Sequence, residues 1–87
     1  MTIKQLKRFQ EKISRQLMKK TIHQIDLSLK EAAGAGNTSR KFWFDSVYSG
    51  SFIESHQAEL AEYYTKHGFR VSFYDTHLLV DWSEKND

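Results

Sequence analysis

The 87-residue chain predicts an α+β domain of element order α-β-α-β-β, with a long N-terminal helix and a second helix packed on one face of a small three-stranded sheet. Three observations carry that expectation. Residues 2–33 contain neither glycine nor proline and place apolar side chains at helical spacing. Three short segments alternate aromatic or β-branched residues with polar ones, the signature of half-buried strands. A second helical run, closed by Gly68, lies between the first and second of those segments.

In the first element Thr2 is placed to cap the helix. Leu6, Phe9, Ile13 and Leu17 fall on one narrow stripe with basic residues opposite, at about 100° per residue. Met18, Ile22, Ile25, Leu29 and Ala32 form a second stripe, rotated by roughly a quarter to a third of a turn. Three arrangements accommodate the change of phase. The helix bends near residues 19–21, its first half meets something other than its own domain, or both stripes form one broad buried face. Gly34 suits the position just past the helix, and Gly36-Asn37 is a turn signal.

Residues 41–48 are rich in strand formers, with a strand expected over 42–48. Phe42 and Phe44 point to one face, and Trp43, Asp45 and Val47 to the other. After Ser49-Gly50, Ser51 and Glu54 have the spacing of a capping box, opening a helix that runs to His67 with Ile53, Leu60, Ala61 and Tyr64 on its inner side. Phe69, Val71 and Phe73 then alternate with Arg70, Ser72 and Tyr74. Residues 74–77 turn the chain, and Leu78, Val80 and Trp82 alternate again, so the last two strands make a hairpin beside the first. The organisation expected is a basic helical arm (1–20), an α+β core domain (21–82) and a frayed polar tail (83–87).

So short a chain makes at most one small core. Twelve aromatic residues compensate, each burying a large apolar area, and self-association would bury more. Absence of cysteine excludes disulfides and thiolate metal sites and fits a cytoplasmic protein. No apolar run is long enough for a membrane span or a signal peptide, so no membrane partner is expected.

Charge is unevenly placed. Lys4, Lys7, Arg8, Lys12, Arg15, Lys19 and Lys20 face only Glu11 in residues 1–20, a net +6, which leaves −4 for the remainder of a chain of net +2. Such a helix can neutralise phosphates, lie on an anionic surface, or pair with another helix through Leu6, Phe9/Gln10, Ile13 and Leu17. Its lysines can equally be no more than solvated.

Residues 22–82 combine Leu29, Ala32-Ala33, Gly36, Tyr63-Tyr64, Gly68-Phe69-Arg70-Val71 and Leu78-Leu79-Val80-Asp81-Trp82. In that pattern the chain resembles small proteins that recur in bacteriophage and prophage genomes. The resemblance implies a phage accessory or virion-associated protein acting in the host cytoplasm. No common activity is known for such proteins.

Basic and aromatic residues interleave at residues 40–44 and 69–74, a composition able to stack single-stranded bases on an open sheet. The competing demand is the core, which claims Phe42, Phe44, Phe69, Phe73 and Trp82. Trp43 and Tyr74, of opposite parity, are the candidates for a contact surface. The four histidines are scattered without zinc spacing, and no metal or cofactor is expected. No nucleophile-base motif or phosphate loop is present, so no enzymatic activity is expected. The function expected is binding: a phage-type protein that occludes a host or phage macromolecule as a homo-oligomer. The alternatives are a nucleic-acid-binding accessory protein and a virion structural or assembly component.

Overall fold

The computed structural model describes residues 1–46 and 50–83. The element order is α1 (Ile3–Gly34), β1 (Ser39–Trp43), α2 (Gly50–Ser55), α3 (Gln57–Lys66), β2 (Arg70–Phe73) and β3 (His77–Asp81). It is the expected mixed α+β arrangement. β3 is central in the sheet and pairs antiparallel with both β1 and β2.

The helix α1 is a single element of 32 residues, about 48 Å long at ~1.5 Å per residue. Thr2 caps it. Its hydroxyl accepts from the Gln5 amide and its own amide donates to the Gln5 side chain, so two otherwise orphaned donors are satisfied. Helical hydrogen bonding runs unbroken through residues 19–21, so the change of phase between the stripes is not a break in the helix. The helix also runs through Gly34, and Ala35 is the C-cap. It is Gly36, at φ 87°, that takes the left-handed position. The amides of Gly36 and Asn37 donate back to Ala33 and Ala32, a Schellman closure. The same closure ends α3, with Gly68 at φ 91° and the amides of Gly68 and Phe69 returning to Thr65 and Tyr64.

Helices α1, α2 and α3 all pack on one face of the sheet. The core joins Ile25 and Leu29 of α1, Ile53 of α2, Leu60 and Tyr64 of α3, and Leu78 and Val80 of β3. Fully burying side chains of this size is worth roughly 1.5–3 kcal/mol each. Tyr64 adds a polar tie. Its hydroxyl donates to Asp26 Oδ1 at 2.9 Å and lies 3.3 Å from the Ile22 carbonyl, which fixes α3 against α1.

Four further local expectations are corrected. β1 covers Ser39–Trp43 rather than 42–48. The chain turns at Phe44-Asp45 because the ladder ends there: the Phe44 amide reaches Thr76, and Ser46 folds back onto Trp43. Val47 and Tyr48 lie outside the described residues. The second helix is divided at His56, whose φ of −122° is not helical and whose ring stacks on Phe52 at 3.9 Å. Ser51 lies inside α2, not before it, so it does not open a capping box. Phe73 is 51% exposed rather than core. It pairs with buried Leu78 but ends the edge strand, where its outer side is open.

Candidate functional site

Two surfaces hold the residues that the sequence singles out. The first is the face of the sheet opposite the helices. Side chains of directly paired residues lie on the same face. The register Trp43↔His77 therefore sets these two rings side by side, 4.6 Å between centroids. Tyr74, just past β2, stacks on the other side of His77 at 4.6 Å with an interplanar angle of 14°. The result is a row of three rings, Trp43–His77–Tyr74, crossing all three strands. Its two ends are open, Trp43 at 47% exposure and Tyr74 at 50%.

Below the row, Lys41 pairs with Leu79 and Leu79 with Ser72. The Lys41 ammonium sits 5.8 Å from the Trp43 ring centre, within cation–π range. At the far end Arg70 bridges Asp81 and Ser83, so Ser83 is tied to the sheet. The Ser83 amide and hydroxyl, with help from Arg70, hold the Asp81 carboxyl below its ordinary pKa.

Beside Trp43 a cavity of about 390 Å³ is lined by Phe44, Asp45, Glu54, Asp75 and Thr76. A β-carbon on Gly50 would lie 2.6 Å from the Phe44 carbonyl oxygen, so the start of α2 approaches the end of β1 as only glycine permits. Asp45 and Asp75 share this cavity, while Asp81 is at the other end of β3. Among the described residues no group of histidines and carboxylates is arranged to hold a metal.

The second surface is α1 itself. Its inner stripe is used as expected: Ile25, Leu29 and Ala32 are buried, and Met18 and Ile22 pack against the core. The outer stripe takes no part in the core. Leu6, Phe9, Ile13 and Leu17 are all exposed, Phe9 by 60%. The line that packs on the sheet in residues 18–32 is continued in the arm by Lys4, Lys7 and Glu11, which have no reason to leave water. All seven basic residues of the arm are exposed. Glu11 makes a 3.7 Å surface pair with Arg15.

Three members of these surfaces were not singled out in the sequence. Ile3 and Leu27, the latter 52% exposed, extend the outer stripe in both directions. His77 is the middle ring of the sheet row. The steps of three and four that connect Leu6, Gln10, Ile13 and Leu17 reach Leu27 when continued through Lys20 and Gln24. His77 carries no comparable local signal, because only the β1–β3 register places it.

Compared with protein-family models, curated proteins and solved structures, the chain finds no match. Among the described residues, no helix is long and apolar enough to cross a membrane.

Proposed function

We propose that this chain is a non-enzymatic accessory protein of phage type that associates with itself through the arm of α1 and occludes a site on a host or phage macromolecule with the open sheet face. One observation carries the reading. Every exposed large apolar residue within α1 lies on one stripe, turned away from the protein's own core. From Ile3 to Leu17 these residues recur within every turn, and a patch of this kind marks a contact with another molecule more often than scattered exposed residues do. The sheet row supports the second half. Trp43 and Tyr74 are rigid, large and exposed at both ends of one platform, the residue types that dominate binding energy at interfaces. The phage-like pattern of residues 22–82 supports the class of protein.

The basic face of the arm favours a second reading, in which Lys7, Arg8, Lys12 and Arg15 grip a phosphate backbone. One experiment separates the two: capture from host lysate by the intact protein, with and without nuclease, beside Trp43→Ala/Tyr74→Ala. Capture that survives nuclease and fails in the double variant is the expected result. Capture abolished by nuclease, and weakened linearly in log affinity with log salt, establishes the nucleic-acid reading instead.

A further inference from the structure

We infer that the occupant of the outer stripe of α1 is the same stripe of a second copy, running antiparallel, with Ile13 of each copy against Leu17 of the partner subunit. The inference rests on the self-association proposed above and adds orientation and register to it.

Residues 3, 6, 10, 13, 17, 20, 24 and 27 step alternately by three and four, the spacing of a two-helix seam. Five of these positions are the exposed Ile3, Leu6, Ile13, Leu17 and Leu27, and Phe9 flanks the seam beside Gln10. No position of the core stripe is shared with it, and along the stretch where α1 packs on the sheet Lys20 and Leu27 are exposed, with Gln24 half-buried between them. Its six apolar side chains expose on the order of 600 Å² per copy, so pairing removes at most about 1,200 Å² of their surface, which reaches the lower edge of what specific protein interfaces bury.

Charge decides the orientation. A parallel pair sets Lys20 against Lys20 of the partner subunit inside the seam and aligns two +6 arms along their whole length. Like charges at such close range are destabilising. The antiparallel pair that overlaps the entire seam matches Ile3 with Leu27, Leu6 with Gln24, Gln10 with Lys20, and Ile13 with Leu17. Each Lys20 then meets a glutamine side chain, whose carbonyl can accept from it. The first two turns of each arm, with Lys4, Lys7 and Arg8, lie beside residues 21–27 of the other copy, which carry no lysine or arginine. Phe9 falls beside His23 of the partner subunit, and Ser14 sits next to Ser14 of the partner subunit on the two-fold axis.

The chain has no cysteine, so single introduced thiols report the geometry without background. The protein is made as Ser14→Cys, as Gln10→Cys, and as an equimolar mixture of Gln10→Cys with Lys20→Cys, and each is oxidised mildly. All three sites are exposed, so the fold tolerates the change. The expected result is a covalent dimer of Ser14→Cys in several-fold higher yield than of Gln10→Cys alone, with cross-linked heterodimer in the mixture. Self-linking of Gln10→Cys with unlinked Ser14→Cys overturns the antiparallel orientation and leaves self-association standing. Dimers in which Ser14→Cys stays unlinked overturn the register. A monomer by light scattering at all concentrations overturns both this inference and the self-association beneath it.

Discussion

The two halves of α1 share one backbone, one capping scheme and similar helix propensity, yet they meet different surroundings. In residues 18–32 the apolar line faces the sheet and is buried. In residues 3–17 that same line is charged, and the apolar side chains have moved about a third of a turn round the helix, at ~100° per residue. A helix in water draws most of its stability from packing of its apolar face. The C-terminal half obtains that packing from its own domain. The N-terminal half finds no such packing within its own domain and is continuous with the packed half; under the self-association proposed above, a second copy supplies it. What distinguishes the buried stripe from the exposed one is therefore not composition but phase relative to the domain.

The largest effect that tests this contrast comes from matched truncations. Ile25→Ala should cost about 2–5 kcal/mol of unfolding free energy, the usual range for a buried large-to-small change. That is a large fraction of the roughly 5–15 kcal/mol that holds a domain together. Ile13→Ala, measured by denaturant titration at a concentration where the protein is monomeric, should stay within about 0.5 kcal/mol of the parent. Equal losses at the two sites would mean that the arm packs on its own domain.

Next in size is the effect on association. Leu6→Ala with Leu17→Ala removes two seam residues and should weaken self-association at least ~10²-fold, since each 1.4 kcal/mol of lost burial is about tenfold. Lys20→Leu should strengthen it, because a charge is taken out of the seam. Sedimentation equilibrium reads both, and an unchanged association constant in either would remove the seam from the contact.

A smaller effect sits at the joint between α1 and α3. Tyr64→Phe deletes the hydrogen bond to Asp26 and should cost about 1 kcal/mol. It should also alter the alkaline response. Burial, then the hydrogen bond and negative charge of Asp26, push the Tyr64 phenol far above its ordinary value. A group whose folded pKa is raised supports the fold below the unfolded value and loses that support as pH climbs above it. Stability should therefore fall from about pH 10 upward, the ordinary tyrosine range. Tyr64→Phe should flatten that fall, and an unchanged alkaline limb would put its cause elsewhere.

What the sequence made legible follows from the range of each signal. The inner stripe, the Gly68 closure and the C-terminal hairpin depend on periodicity and turn chemistry within a few residues, and they appear where expected. Leu27 carries no such local signal because its neighbours in sequence belong to the core stripe, although it lies on the other side of the helix. Phe73 shows the limit of strand parity, which assigns a face without saying how far the covering helices extend along it. His77 needed the β1–β3 register, a pairing between residues more than thirty apart, before it became the centre of the aromatic row. For the same reason the end of β1 moved: where the ladder stops is set by the start of β3, not by the strand formers that continue past Trp43.

The smallest effect is confined to the sheet and separates it from the arm. The Ser83 amide and hydroxyl, and then Arg70, favour the ionised form of Asp81 and lower its pKa. A carboxylate depressed in the folded state adds stability above its unfolded pKa, near 4 for aspartate, and that contribution is lost as pH falls through the lower folded value. Asp81→Asn should consequently be slightly less stable at neutral pH and should show a shallower acid limb, read by thermal melts at successive pH values. Self-association should be the same in parent and variant at neutral pH, because the Arg70–Asp81 row is at the end of the sheet and not on the seam of α1. A dimer weakened by Asp81→Asn would show that sheet and arm act as one interface. A dimer left intact, with only the acid limb of the melt altered, would show that the two halves of α1 answer to different partners: the inner one to this sheet, the outer one to a second copy.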